Sequence, residues 1–235
     1  MRPFELEEAI AERIVGGDIR PGQRMTDREL VKDHDVGRLA ARQVLAALSR
    51  RGLVELRDHH EAIVTRPKVE HDLRNPAGFS EQMAAAGLEP ASKLIAADVV
   101  VAPPAIAAAL ELEPHARVAK IERVRYASKV ALVSEEAWLP DELFPELVSL
   151  GLRDSLYTLM RDCYARGPAR AVERLEAVPA RAIDAERLKV PEGSPLMLVE
   201  RIAYDEEGTP IEFGRDRFRG DRARFVSQTV PRVSA

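Results

Sequence analysis

Between Val36 and Arg57 stand Arg38, Arg42, Arg50, Arg51 and Arg57, with Glu55 as the sole acid among them. A helix fits the DNA major groove, where arginine bonds bidentately to guanine, glutamine bonds to adenine, and further arginines neutralise phosphates. If Ala41, Val44, Leu45 and Leu48 form the buried stripe of one helix, Arg38, Leu39, Arg42 and Gln43 fall on its outward face. A second concentration of cations lies in KIERVRYAS, where Arg123 and Arg125 are two residues apart. On a strand that spacing puts both guanidinium groups on one face, suited to a phosphate or carboxylate. The start of a helix after Gly78-Phe79-Ser80 would offer free backbone N–H groups to the same anion. The same two arginines could instead pair with acids on adjacent strands, Glu135 or Glu212.

Other chemistry finds little support. No G-x-S-x-G, G-x-G-x-x-G, Walker loop or zinc-spaced Cys/His cluster is present, so no cofactor or metal is expected. His59-His60 lack further ligands, and Cys163, beside Leu159, Met160 and Tyr164, reads as an inert buried thiol. With one cysteine there is no internal disulfide, and no apolar run reaches the roughly 20 residues needed to span a bilayer. A reduced, cytoplasmic setting away from membranes is expected. The net charge of -4 and pI near 5.8 rule out a wholesale nucleic-acid coat, so any basic surface is local.

The elements that would position these residues follow from periodicity. At 235 residues the chain has room for two domains. Leu6, Ile10 and Ile14 mark a first helix, stopped by Gly16-Gly17. Thr26 with Glu29 three residues on is a capping box opening a second helix, which ends near Asp35. The arginine helix follows and stops at Gly52, and residues 53–56 and 62–65 read as paired strands. Periodicity is lost over 67–78, PKVEHDLRNPAG, as in a linker. Beyond it, alternating segments at 93–101, 118–127, 131–138, 171–178, 196–204 and 209–218 predict strands. Helices are expected at 80–86, after Pro103-Pro104, at 141–147 and at 155–164, and Glu206-Glu207-Gly208 predicts a hairpin between antiparallel strands.

Helix, helix, short turn, arginine helix and hairpin is the order of a winged helix-turn-helix. The segment GGDIRPGQRMTDRELVKDHDVGRLAARQVLAALSRRGLVEL resembles the DNA-binding domain of GntR-type regulators, with their G-x-L-x-P-G turn, S-x-R-x-L helix and R-x-x-x-R-x-A-L-like recognition helix. The resemblance implies that Arg28 lies near phosphates and that Arg38 and Arg42 lie near or in the major groove. The chain departs from the family at Gly37, Leu39 and Ala40, where hydroxyl residues are common, and at a wing tip of Arg57-Asp58-His59-His60-Glu61 in place of glycines.

The stretches FSEQMAAAGLEP, KIERVRYASKVALVSEEAWLP and VERIAYDEEGTPIEFGRDRFRGDRARF are similar to the UTRA effector domain of the HutC-like branch of these regulators. That resemblance implies an α+β fold, a winged helix-turn-helix followed by a chorismate-lyase-like antiparallel sheet, and an effector pocket lined by Phe79, Ser80, Arg123, Arg125, Glu135, Tyr157 and Glu212. Phe218 stands where some sugar-phosphate sensors carry tyrosine. The expected organisation is a DNA-binding domain at 1–68, a linker at 69–78 and an effector domain at 79–235. The expected function is a ligand-responsive, sequence-specific repressor, a homodimer on double-stranded operator DNA, released by a small anionic effector. The rivals are an enzyme on the lyase-like fold and a regulator that has lost its effector. Fold alone does not separate them.

Overall fold

A computed structural model describes residues 2–15, 18–65, 68–73 and 78–228, in two compact units, Met1–Val69 and Glu70–Ala235. The Gly16-Gly17 stop and part of the 67–78 stretch lie outside the described residues.

The first unit contains α1 (Pro3–Val15), β1 (Arg24–Thr26), α2 (Asp27–His34), α3 (Arg38–Arg50), β2 (Val54–Leu56) and β3 (Glu61–Val64). Thr26 and Glu29 form the capping box in full, with the Glu29 N–H donating to Thr26 Oγ1 and the Thr26 N–H donating to the Glu29 carboxylate. The α2–α3 turn is set by Asp35 in the left-handed region at φ 51, a conformation Asp tolerates better than most residues, and Gly37 is the α3 N-cap. Ala41, Val44, Leu45 and Leu48 pack with Leu6, Ile10 and Ile14 of α1 into one core. The β2–β3 hairpin is the wing, and β1, a strand the periodicity does not reveal, completes an antiparallel sheet in the order β1-β3-β2.

The second unit begins with β4 (Val69–Asp72), inside the stretch expected to be a linker. A strand of four residues is too short to show alternation, and β4 forms a separate two-stranded sheet with β11 (Ala223–Val226). Between them come α4 (Phe79–Ala85), β5 (Pro90–Val101), α5 (Pro104–Ala109), β6 (Arg117–Ala127), β7 (Val130–Pro140), α6 (Leu156–Tyr164), β8 (Arg170–Pro179), α7 (Ala182–Leu188), β9 (Pro195–Tyr204) and β10 (Pro210–Arg219). The six long strands form one antiparallel sheet, β5-β6-β7-β10-β9-β8. One cluster joins Ala119, Ile121, Ala137 and Leu139 of the sheet to Leu156 and Met160 of α6; another joins Val118, Trp138 and Phe213 to Ile106 of α5. Residues 141–147, expected as a helix, are turns leading to a 3-10 helix at Leu147–Ser149, because Pro145 in their midst has no N–H to donate to a helical ladder. Cys163 is exposed on α6, not buried: the apolar stripe of α6 is carried by Leu156, Tyr157 and Met160.

Candidate functional site

In the first unit, Arg28, Arg38, Leu39 and Gln43 are exposed, Leu39 at 73 %. Arg28 and Arg38 make no ion pair with any described residue and line a notch between α2, α3 and the wing. Arg42 lines the same notch but is engaged. Its Nε donates to Asp27 Oδ2 at 3.0 Å, and its Nη2 lies 2.9 Å from His60 Nδ1, which itself lies 2.9 Å from Asp27. Hydrogen bonds from His60 and then Arg42 hold the Asp27 carboxyl below its ordinary range. Arg42 thus links α2, α3 and the wing, with its side chain still 39 % exposed. The wing histidine takes part in this tie, a role that sequence spacing does not suggest. Arg51 does not join the exposed face: it bridges Glu7 at 3.1 Å and Glu8 at 2.8 Å on α1.

In the second unit, a narrow cleft of about 20 Å³, room for about one water molecule, lies on the sheet face beneath α4 and α6. Phe79, Arg123, Arg125, Glu135, Tyr157 and Glu212 line it, and Ser80 reaches Arg125 at its edge. Arg123 and Arg125 share a strand face as period 2 requires, yet both also pair with an acid. Register puts Arg123 directly opposite Glu135, and Arg123 Nε donates to Glu135 Oε2 at 2.5 Å while Arg125 Nη1 donates to Oε1 at 3.0 Å. Burial alone would raise the Glu135 carboxyl, but the two arginines outweigh it and bring it down to about 2.

The two arginines differ in freedom. Arg123 also donates to the carbonyls of Leu152 at 3.1 Å and Asp154 at 2.9 Å, which ties it to the loop before α6. Arg125 donates to Ser80 Oγ at 2.8 Å and lies 4.7 Å from the Phe79 ring centre, but its buried Nε has no hydrogen-bond partner. Arg125 thus has a buried donor to spare for a ligand. α4 has only seven residues, so its macrodipole is slight and it serves the cleft mainly through Phe79 and Ser80. Gly78, its N-cap, admits the Tyr157 ring: a Cβ there would come within 3.1 Å of Tyr157 Cδ2.

Glu212 pairs away from Arg123 and Arg125. Tyr157 donates its hydroxyl to Glu212 at 2.7 Å, and Arg201 Nε lies 3.6 Å from the same carboxylate. Burial raises the Tyr157 pKa well above the usual value, so the phenol stays a donor. Arg201, Asp216, His71 and Phe218 also line the cleft. Asp216 was legible in principle, since Glu212, Gly214, Asp216 and Phe218 alternate along β10. Arg201 requires the β9–β10 register, which sets it opposite Gly214; a Cβ on Gly214 would meet the guanidinium at 3.3 Å. His71 sits on the unrecognised β4, buried against Phe218 and Phe225 with ring centres 5.1 and 5.2 Å apart. Burial, then the charge of Arg201, lowers its pKa to about 4, so the ring is neutral near pH 7.

A winged helix-turn-helix with an exposed arginine face, followed by a sheet domain with a narrow, charged cleft, defines a two-domain DNA-binding regulator. The chain matches the family described as "Bacterial regulatory proteins, gntR family" over residues 5–64 and the UTRA domain over residues 85–224. It belongs to the gntR family, among the members that carry a UTRA domain. It is 29% identical over 224 residues to the HTH-type transcriptional repressor NagR of Bacillus subtilis, covering 95% of this chain and 92% of that protein. It is 31% identical over 217 residues to the HTH-type transcriptional repressor PhnF of Mycolicibacterium smegmatis, covering 89% of this chain and 85% of that one. The crystal structure of PhnF from Mycobacterium smegmatis superposes with a TM-score of 0.70 at 27% identity, over 96% of this chain and 99% of that chain.

Proposed function

We propose that the chain is a transcription repressor, not an enzyme, that binds a two-fold operator as a cytoplasmic homodimer and is released by a small anionic metabolite. Residues 1–68 are the DNA-binding domain and 79–235 the effector domain, which also takes in β4 (Val69–Asp72) from the stretch between them. Arg28, Arg38, Leu39 and Gln43 are the surface offered to DNA, with Arg42 shared between the groove and the wing. Two-fold symmetry matches the paired half-sites that helix-turn-helix dimers read. The repressor names of NagR and PhnF support the direction of control. Among the described residues no helix is long and apolar enough to cross a membrane.

The observation that carries the effector half is Arg125, a buried guanidinium in the wall of a narrow charged cleft, whose Nε has no hydrogen-bond partner among the described residues. Around it, Phe79, Ser80, Arg123, Glu135, Tyr157 and Glu212 are the remaining effector-binding residues. The test is fluorescence anisotropy with the intergenic DNA upstream of the coding sequence, with and without phosphorylated and carboxylated metabolites. Arg38→Ala should weaken operator binding and leave effector binding intact, whereas Arg125→Ala should stay on the operator when effector is added. Linkage requires the operator to weaken effector binding by the same factor, typically about 5- to 150-fold. Equal effector affinity for free and DNA-bound protein would reject the reading.

A further inference from the structure

On the β9–β10 side of the cleft three carboxyl groups stand around one cation. Arg201 lies 3.6 Å from Glu173, 3.6 Å from Glu212 and 3.3 Å from Asp216. Asp216 is 4 % exposed, lines the cleft, and its Oδ1 has no hydrogen-bond partner among the described residues. Across the sheet it stands directly opposite Glu135, so a second carboxylate adjoins it from the neighbouring strand. Of the other described residues lining this end, Phe218 presents a hydrocarbon ring and the His71 imidazole is neutral near pH 7.

We propose that this side of the cleft is a cation subsite in which Asp216, with Glu212 beside it, receives a protonated amine. The effector would then be a small zwitterion, its anionic group at Arg125 and its ammonium at Asp216. The inference rests on the anionic-effector reading above and adds the chemistry of the opposite end. Two features of Asp216 agree with it. An unpartnered carboxyl oxygen inside a buried wall is costly unless a donor meets it, and an ammonium supplies several. Burial raises the Asp216 pKa to about 8 against the pull of Arg201, with Glu135 and Glu212 adding to the rise and Arg125 opposing it. Besides Arg201 on β9, Glu135 on β7, Arg125 on β6 and Glu212 on its own strand, Asp216 is faced by the neutral Tyr157 of α6 and His71 of β4. Near pH 7 the acid is therefore mostly protonated. An incoming ammonium keeps its own proton and requires the carboxylate form, so the Asp216 proton leaves to solvent as the complex forms. A hydroxyl ligand would meet the protonated acid and release none.

The experiment is calorimetry on the full-length protein with ω-aminoalkyl phosphates of two to four carbons and the ω-hydroxyalkyl phosphates of the same lengths. Each titration is run near pH 7 in two buffers of different ionisation enthalpy. The best amino compound should bind about tenfold or more tightly than its hydroxy counterpart, a difference of roughly 1.4 kcal/mol, and release close to one proton. Asp216→Asn, which imitates the protonated acid in shape and charge, should abolish both the preference and the proton release. Equal affinity of the two series, or amine binding without proton release, overturns the cation subsite and leaves the anionic-effector reading standing. Binding of neither series at any length overturns both. The wild-type comparison decides the matter even if Asp216→Asn fails to fold.

Discussion

Replacing Arg123 by methionine should destabilise the second unit far more than the same change at Arg125, although the two residues are neighbours on one strand face. The Arg123 side chain is 1 % exposed and donates to Glu135 and to the carbonyls of Leu152 and Asp154. Methionine fills much of the volume and makes none of these bonds. Removing one partner of a buried ion pair costs about 3–5 kcal/mol, and each stranded carbonyl adds roughly 1 kcal/mol. Arg125 still holds Glu135 at 3.0 Å, which keeps the pair loss at the lower bound. The sum is about 5 kcal/mol, and at roughly 2–4 °C per kcal/mol for a domain of this size the midpoint should fall by about 10–20 °C. Arg125→Met leaves Glu135 with its closer partner and frees a half-buried serine, so its fall should be less than half as large. The acid limb gives a second reading. Because the Glu135 pKa is depressed in the fold, its stabilisation is present above about 4.5 and is lost as pH falls towards 2. In Arg123→Met, where Glu135 keeps one arginine, less stability should be lost over that window and the loss should be complete at a higher pH. Thermal unfolding of the full chain by circular dichroism from pH 3 to 8 measures both. Equal midpoint shifts for the two variants, or an Arg123→Met shift within about 3 °C of wild type, would refute the reasoning.

Three further outcomes are expected. Arg38→Ala should weaken operator binding by about 1–3 kcal/mol if it meets a base, with stability unchanged within about 0.5 kcal/mol, as gel-shift and melting curves would show. Arg42→Ala should weaken operator binding and also lower stability, by no more than about 1 kcal/mol since its pair with Asp27 is part-exposed; a variant with wild-type melting would mean the α2–α3–wing tie is inert. His71→Phe should flatten the stability profile between pH 7 and 5, because a histidine whose pKa falls from 6.5 to about 4 on folding stabilises above 6.5 and loses that contribution as the pH drops towards 4. An unchanged wild-type-like acid slope in melting curves of His71→Phe would count against it.

What the sequence alone determined was local. The Thr26–Glu29 capping box, the Ala41–Val44–Leu45–Leu48 stripe and the alternation that sets Arg123 beside Arg125 depend on residues within a few positions of one another, where helical and strand periods act directly. Most long strands and the arginine face of α3 were legible for the same reason. What only the tertiary structure decided was pairing. Two acids competed for the two arginines, and register settled it, setting Glu135 opposite Arg123 and leaving Glu212 to Tyr157 and Arg201. Arg42 reads from its helix as purely outward, yet Asp27 and His60, distant in sequence, draw its guanidinium inward. The short β4 could not announce itself by alternation and exists because β11, some 150 residues later, offers it a partner. Asp216 and Arg201 became part of the cleft through the same cause: strands β7, β10 and β9 bring their charges into adjoining rows only once the sheet has closed in one register, and a slip of one residue would turn each of them to the opposite face.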